Sequence, residues 1–387
     1  MEKYLAKLPL GKENLEKYGK LISKYSFALG LFIELTIVIV EKSEYIIQYE
    51  GLWFRLTFLL FGLSLITTKH NIREWIALFF FGIIGVISYK VTGRNEILRW
   101  IVFIWACQGK EMKKVLKFTF WYTLAGCVFI MSLSVLGIFG SVYQIDIFRY
   151  GIEELRYCFG MGHPNSFHCM MLVLTWLGVY CYHEKIKWYV YLIIGFLHVL
   201  IFYTTRSRTG LLMSIGSIGI IILIKYIKLF SEKVWLYLSA ILVLIFAISF
   251  SVFMAKYCIF HPFLSKLDYY LSGRIVALAG SNNSEGMLHT WSLWSAEKNN
   301  YYFDLGIVRI FYWYGIIPGI LYFASQCRLL WCGYKKRDYM MAGILICITI
   351  YSIFEAHFIS DYMGRNYILF FFGMYLKEML GVKKDVK

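Results

Sequence analysis

Twelve apolar runs divide this chain of 387 residues almost from end to end: 25–40, 52–68, 75–89, 97–107, 116–140, 166–182, 188–203, 209–224, 234–254, 305–326, 339–354 and 366–380. About 20 apolar residues carry a helix across the hydrocarbon of a bilayer, and most of these runs approach that length. With 59% of residues hydrophobic and only 17% charged, a soluble domain of this size would have no interior large enough to hide them. The pattern predicts an all-α integral membrane protein of about 12 transmembrane helices, forming a single polytopic domain over residues 1–387 without internal repeats. The fourth run is the shortest and is interrupted by Arg99.

The charges between the runs give the expected sidedness. Residues 1–24 carry six lysines and no apolar core, so they read as a cytoplasmic lead-in and not as a cleavable signal. With the N-terminus inside, the inner segments hold 25 lysines and arginines and the outer segments 12, while Arg55, Arg99 and Arg309 fall within runs. Short basic loops face the cytoplasm, so both termini are expected inside. The net charge of +16 then reflects membrane anchoring, and no nucleic-acid partner is expected. Nine cysteines are scattered without a C-x-x-C or a Cys/His cluster, so zinc is not expected; Cys158 and Cys258 fall on one side and can pair.

Against that trend, Arg206 and Arg208 lie on the outer side, between the seventh and eighth runs. Guanidinium groups at the edge of an apolar slab are costly unless they meet an anion, and their planar forks suit phosphate. Arg149, Arg156, Arg274 and Arg309 share that side. Together they suit an anionic lipid-linked ligand such as a polyprenyl diphosphate. The two longest outer loops are 141–165 and 255–304, and long ordered loops commonly carry function. In the first, Gly160-Met161-Gly162-His163-Pro164-Asn165 breaks the chain before the sixth run, with Asn165 placed as the helix cap and His163 as a turn-stabilising residue. The second carries Ser272-Gly273-Arg274, His289 and Tyr301-Tyr302-Phe303-Asp304. Trp291, Trp294, Tyr301 and Tyr302 are candidates for stacking on sugar faces.

In this order the features resemble the polysaccharide repeat-unit polymerases (Wzy-type) of the O-antigen ligase/polymerase superfamily. The likeness rests on R-x3-G-x2-H-P-N at 156–165, S-R-T-G at 207–210, S-G-R at 272–274, and Glu355 with Asn366 before the last run. The ligase pattern H-[NSQ]-x9-G-x-x-[GTY] keeps its spacing at Asp304, Leu305, Gly315 and Pro318, with Asp in the histidine position and Pro in the last. The resemblance implies a GT-C-like fold and a metal-independent glycosyltransferase without cofactor, in the bacterial cytoplasmic membrane. It would use a polyprenyl-diphosphate-linked donor and a lipid-linked acceptor, alongside a chain-length regulator and a flippase.

For such a transfer, Arg206, Arg208 and Arg274 would stabilise charge developing on the leaving diphosphate, with Arg156 behind them and Arg309 nearby. The acceptor hydroxyl needs a base: Asp304 is the first candidate and His289 the second. Asn165, Glu355, His357 and Asp361 would bind glycan hydroxyls. Two other readings stay open at this stage. One is a ligase of the same superfamily; the other is a flippase for lipid-linked oligosaccharide, for which two related halves and deep polar residues would be expected.

Overall fold

The computed structural model describes residues 12–148, 152–227, 233–257, 260–270, 291–295 and 304–382. The N-terminal helices are α1 (Lys12–Glu41), α2 (Glu50–Ile66), α3 (Ile72–Thr92), the short α4 (Glu96–Ala106) and α5 (Met112–Val135). A hairpin of β1 (Tyr143–Phe148) and β2 (Ile152–Tyr157) follows, paired antiparallel from Tyr143 opposite Tyr157 to Phe148 opposite Ile152. Next come α6 (Pro164–Tyr182), α7 (Trp188–Thr205), α8 (Arg208–Tyr226), α9 (Val234–Tyr257) and α10 (Pro262–Tyr270). The chain ends with α11 (Gly306–Tyr314), α12 (Ile316–Lys336), α13 (Tyr339–Tyr351), a single turn at Met363–Arg365, and α14 (Tyr367–Met379).

Among the described residues, six helices are long and apolar enough to cross a membrane: Glu16–Glu41 within α1, and α3, α5, α7, α8 and α9. Their outer faces expose large apolar side chains, among them Phe79, Phe129, Phe196 and Leu242, as expected of a body embedded in lipid. The remaining runs of the sequence form shorter or more polar helices. α13 has only 13 residues, all but two of them buried, because it is apolar on every side and sits between α8 and α9. α14 is equally short, and packs on α4 and α12. At 1.5 Å per residue each is about 20 Å long, less than the ~30 Å of a bilayer core. The connection 352–366 fills the space at their ends as buried, mostly non-helical backbone.

Run 305–326, continuous in the sequence, is broken at Gly315 into α11 and α12. Gly315 adopts φ +105, and a Cβ there would lie 2.6 Å from the Leu293 carbonyl oxygen. Only glycine meets both demands. Trp291–Ser295 docks in the break, with the amides of Ile316 and Ile317 bonded to the carbonyls of Ser292 and Leu293. Trp291 is used in this docking, stacked on Phe311 at 5.1 Å, and so is not a free sugar platform.

Arg99, the interruption in the fourth run, explains why that helix is short and buried. Its Nη2 donates to Glu34 Oε1 of α1 at 2.9 Å, Nη1 donates to the Asp361 carbonyl, and the guanidinium lies over Phe54. Removing one partner of such a buried pair costs on the order of 3–5 kcal/mol. Loops that the sequence places on alternate sides gather in two groups. In one, Glu44 holds the Ser141 amide, Arg94 faces Asp361, and Arg365 holds Glu41. In the other, Lys69 pairs with Glu16, Arg73 bonds the Gly381 carbonyl, and Lys336 faces Glu378.

Candidate functional site

Three irregular stretches converge with the end of α1 around a polar cavity of about 360 Å³. The first is the entry to α6. Here the cap is His163, whose Nδ1 accepts from the Asn165 amide at 3.1 Å, and Pro164 occupies the first helical position, where its missing N–H costs nothing. This corrects the expected cap at Asn165. The Asn165 side chain lines the cavity instead, and its Oδ1 accepts from Arg156 Nη2 at 2.8 Å. Ser166 and Cys169, on the following turns, line it too.

The second stretch brings Asp304. Gly306 approaches residues 355 and 356 so closely that a Cβ would lie 2.7 Å from the Glu355 carbonyl oxygen, and the Ile307 amide bonds the Ser352 carbonyl at 2.8 Å. Asp304, two residues earlier, is thereby set into the same cavity wall as Glu355. The third stretch is 352–366, which supplies Glu355, Ala356, His357 and Arg365. His357 Nδ1 lies 3.2 Å from Cys169 Sγ, which also accepts from the Tyr351 hydroxyl. Arg365 donates to Ser360 Oγ at 2.8 Å and to Glu41 Oε2 at 3.0 Å. Lys42, at the end of α1, faces the same Glu41 carboxylate at 3.4 Å.

The cavity thus holds two carboxylates, two cations and two imidazoles. Burial lowers the pKa of Lys42, and Arg365 beside it acts in the same direction. Burial also lowers His163, helped by Arg156 and opposed by Asp146 and Asp304. His357 is held well below the ordinary imidazole range by burial and then by Arg365 and Lys42, so its ring is neutral. Its Nε2 is buried with no hydrogen-bond partner among the described residues. A neutral ring with one nitrogen fixed by Cys169 leaves the other to meet a hydroxyl entering the cavity. The volume is at the small end for ligand sites and fits one sugar or phosphate group at a time.

Of the residues expected from the sequence, Asp304, Glu355, His357 and Asn165 meet in this cavity. Arg206 and Arg208 are exposed at the α7–α8 junction, where Arg206 takes φ 55 and ends α7. Arg156 connects the two places: Nε donates to the Thr205 carbonyl, Nη1 to Asp146 and Nη2 to Asn165. At 3% exposure its guanidinium is committed to the protein, a strut and not a ligand surface. Arg309 is 1% exposed, donates to the Ile359 carbonyl and lies over Trp313, so it braces segment 352–366 from outside the cavity. Asp361 also turns elsewhere, its carboxylate toward Arg94 at 3.5 Å. Arg274 and His289 lie outside the described residues, as does Cys258. The Cys158 thiol points at the Ser141 carbonyl.

Sequence reasoning missed Lys42 and Arg365, which it counted only as outer-side charges. A signal existed in their position: each ends or precedes an apolar run beside a residue of opposite charge or of interest, Glu41 and Asn366. It also missed why the S-R-T-G stretch ends in glycine. A Cβ on Gly210 would meet the His168 ring at 2.5 Å, and His168 stacks on His198 at 5.4 Å beneath the arginine-bearing junction. Among the described residues no three His, Cys, Asp or Glu side chains are grouped to hold a metal ion. No family model, no curated protein and no solved structure matches this chain.

Proposed function

We propose that the protein is an outward-facing glycosyltransferase that polymerises polyprenyl-diphosphate-linked oligosaccharide repeat units into a capsular, exopolysaccharide or O-antigen-like chain. In this reading it crosses the bacterial cytoplasmic membrane about twelve times with both termini inside. The observation that carries the proposal is the meeting of Asp304 and Glu355 with Lys42 and Arg365 in one polar cavity at the end of an apolar helical body. Buried non-helical backbone in such a body is tolerated where it lines a cavity, and segment 352–366 answers that description.

In the reaction, the Asp304 carboxylate takes the proton of the acceptor hydroxyl as its oxygen attacks the anomeric carbon of the donor. The bond from that carbon to the diphosphate breaks, and its electron pair leaves on the diphosphate oxygen. Arg206, Arg208 and Arg274 stabilise the charge developing there, without a cofactor. Glu355, Asn165 and the neutral His357 orient acceptor hydroxyls. Arg156 and Arg309 act through position, Arg156 by joining the cavity wall to the junction that carries Arg206.

The test is purified protein with lipid-linked repeat unit, read as a polymer ladder with and without chelator. A ladder in the presence of chelator is expected. Lipid crossing vesicles without any ladder would favour the flippase reading, and transfer of finished chains to a different terminal acceptor would favour the ligase.

A further inference from the structure

A second cavity, of about 1000 Å³, opens at the other end of the helical body, between α1, α5, the connections 67–69 and 108–111, and Lys377 of α14. Six lysines line it, Lys20, Lys24, Lys69, Lys110, Lys114 and Lys377, against two glutamates, a net charge of +4. The glutamates are engaged: Glu16 holds Lys69 at 2.6 Å and Glu111 holds Lys114 at 2.8 Å. Lys20 and Lys24 stand one turn apart on the same face of α1, a like-charged pair that is unfavourable without an anion between them.

The floor is apolar, formed by Phe27, Leu31, Val115 and Phe118. Interfacial lysines normally snorkel away from such surfaces toward water. Lys110 does the reverse: its ammonium is drawn in over the Phe27 ring at 5.5 Å and bonds the Ser23 hydroxyl, and neither contact is an anion. Burial lowers its pKa to about 8. A half-buried cation over an apolar trough is compensated best by a ligand that is anionic at one end and hydrocarbon at the other.

We propose that this cavity binds an anionic glycerophospholipid, its phosphate held by Lys20, Lys24 and Lys110 and its acyl chains lying along Phe27, Leu31 and Phe118. A soluble phosphate compound shares the headgroup chemistry but makes no use of the floor. This site is separate from the Asp304 cavity and does not depend on the reaction proposed there.

The test uses the full-length protein in detergent, titrated with phosphatidylglycerol or with phosphatidylcholine, with retained lipid counted by native mass spectrometry. Phosphatidylglycerol should be retained in preference, and millimolar inorganic phosphate should not displace it. The double variant Lys20→Gln/Lys24→Gln, both positions exposed on α1, should weaken retention about tenfold. Ala28→Trp, at an exposed floor position, should weaken it without any change of charge. Thermal melts confirm that each variant is folded, and if Ala28→Trp is not, the lysine pair decides. Equal retention of both lipids, or undiminished retention in the folded variants, overturns the proposal. Displacement by phosphate also overturns it, in favour of a soluble anion.

Discussion

Gly306 and Glu355 are held in such close contact that a single methyl group on Gly306 would come within 2.7 Å of the Glu355 carbonyl oxygen. That contact aligns the start of α11 with segment 352–366, and it sets Asp304 and Glu355 into one cavity. Gly306→Ala is therefore expected to separate the two carboxylates. The overpacking should cost about 1–3 kcal/mol of stability, and activity should fall further than the melting temperature suggests. Gly82→Ala, with nothing within 4 Å of its Cβ, is the control and should be neutral or slightly stabilising.

Asp304→Asn keeps the shape of the side chain and removes its basicity. If Asp304 takes the proton, turnover should drop at least ~100-fold while the variant still inserts and binds donor. Glu355→Gln should act mainly on acceptor KM. Equal, near-normal ladders from both variants would remove the carboxylates from the chemistry.

Arg206→Lys and Arg208→Lys preserve charge but lose the bidentate fork, so the ladder should shrink sharply with no change in melting. Arg156→Lys should differ in kind. It forfeits bonds to Thr205, Asp146 and Asn165, so stability should fall by about 1–3 kcal/mol together with activity. Normal chains from the Arg206 and Arg208 variants would reduce both residues to interfacial anchors.

His163 and His357 both have lowered pKa values in the folded protein. Below the ordinary value of about 6.5 the unfolded chain takes up protons that the fold refuses, so their contribution is present above that pH and is lost on acidification. Melting temperature should decline as pH falls from about 7 to 5, and His357→Gln should flatten the decline. An unchanged slope in the variant would place the acid sensitivity elsewhere.

The proposed orientation is open to labelling. Cysteine at Ile46, which is 85% exposed among the loops around the Asp304 end, should react with an impermeant thiol reagent on intact cells. Cysteine at Lys114 or Lys335 should not. Labelling of position 335 from outside would reverse the orientation and with it the outward-facing enzyme.

By itself the sequence determined the class of molecule, because the cost of exposing apolar surface is set by composition and run length and needs no knowledge of packing. Counting alternate runs also gave the expectation that Asn165, Asp304, Glu355 and His357 share one side, and the four do line one cavity. The tertiary structure decided which runs are full-length. α13 and α14 are short because they are surrounded by protein, a circumstance no local pattern records. It also decided the fate of the arginines. Arg156, Arg309 and Arg99 carry the same charge as Arg206, yet bonds to neighbours distant in sequence hold their guanidinium groups inside the protein. Lys42 and Arg365 enter the cavity only because Glu41 meets Arg365 across 324 positions, and a convergence over that distance is written in packing, not in spacing.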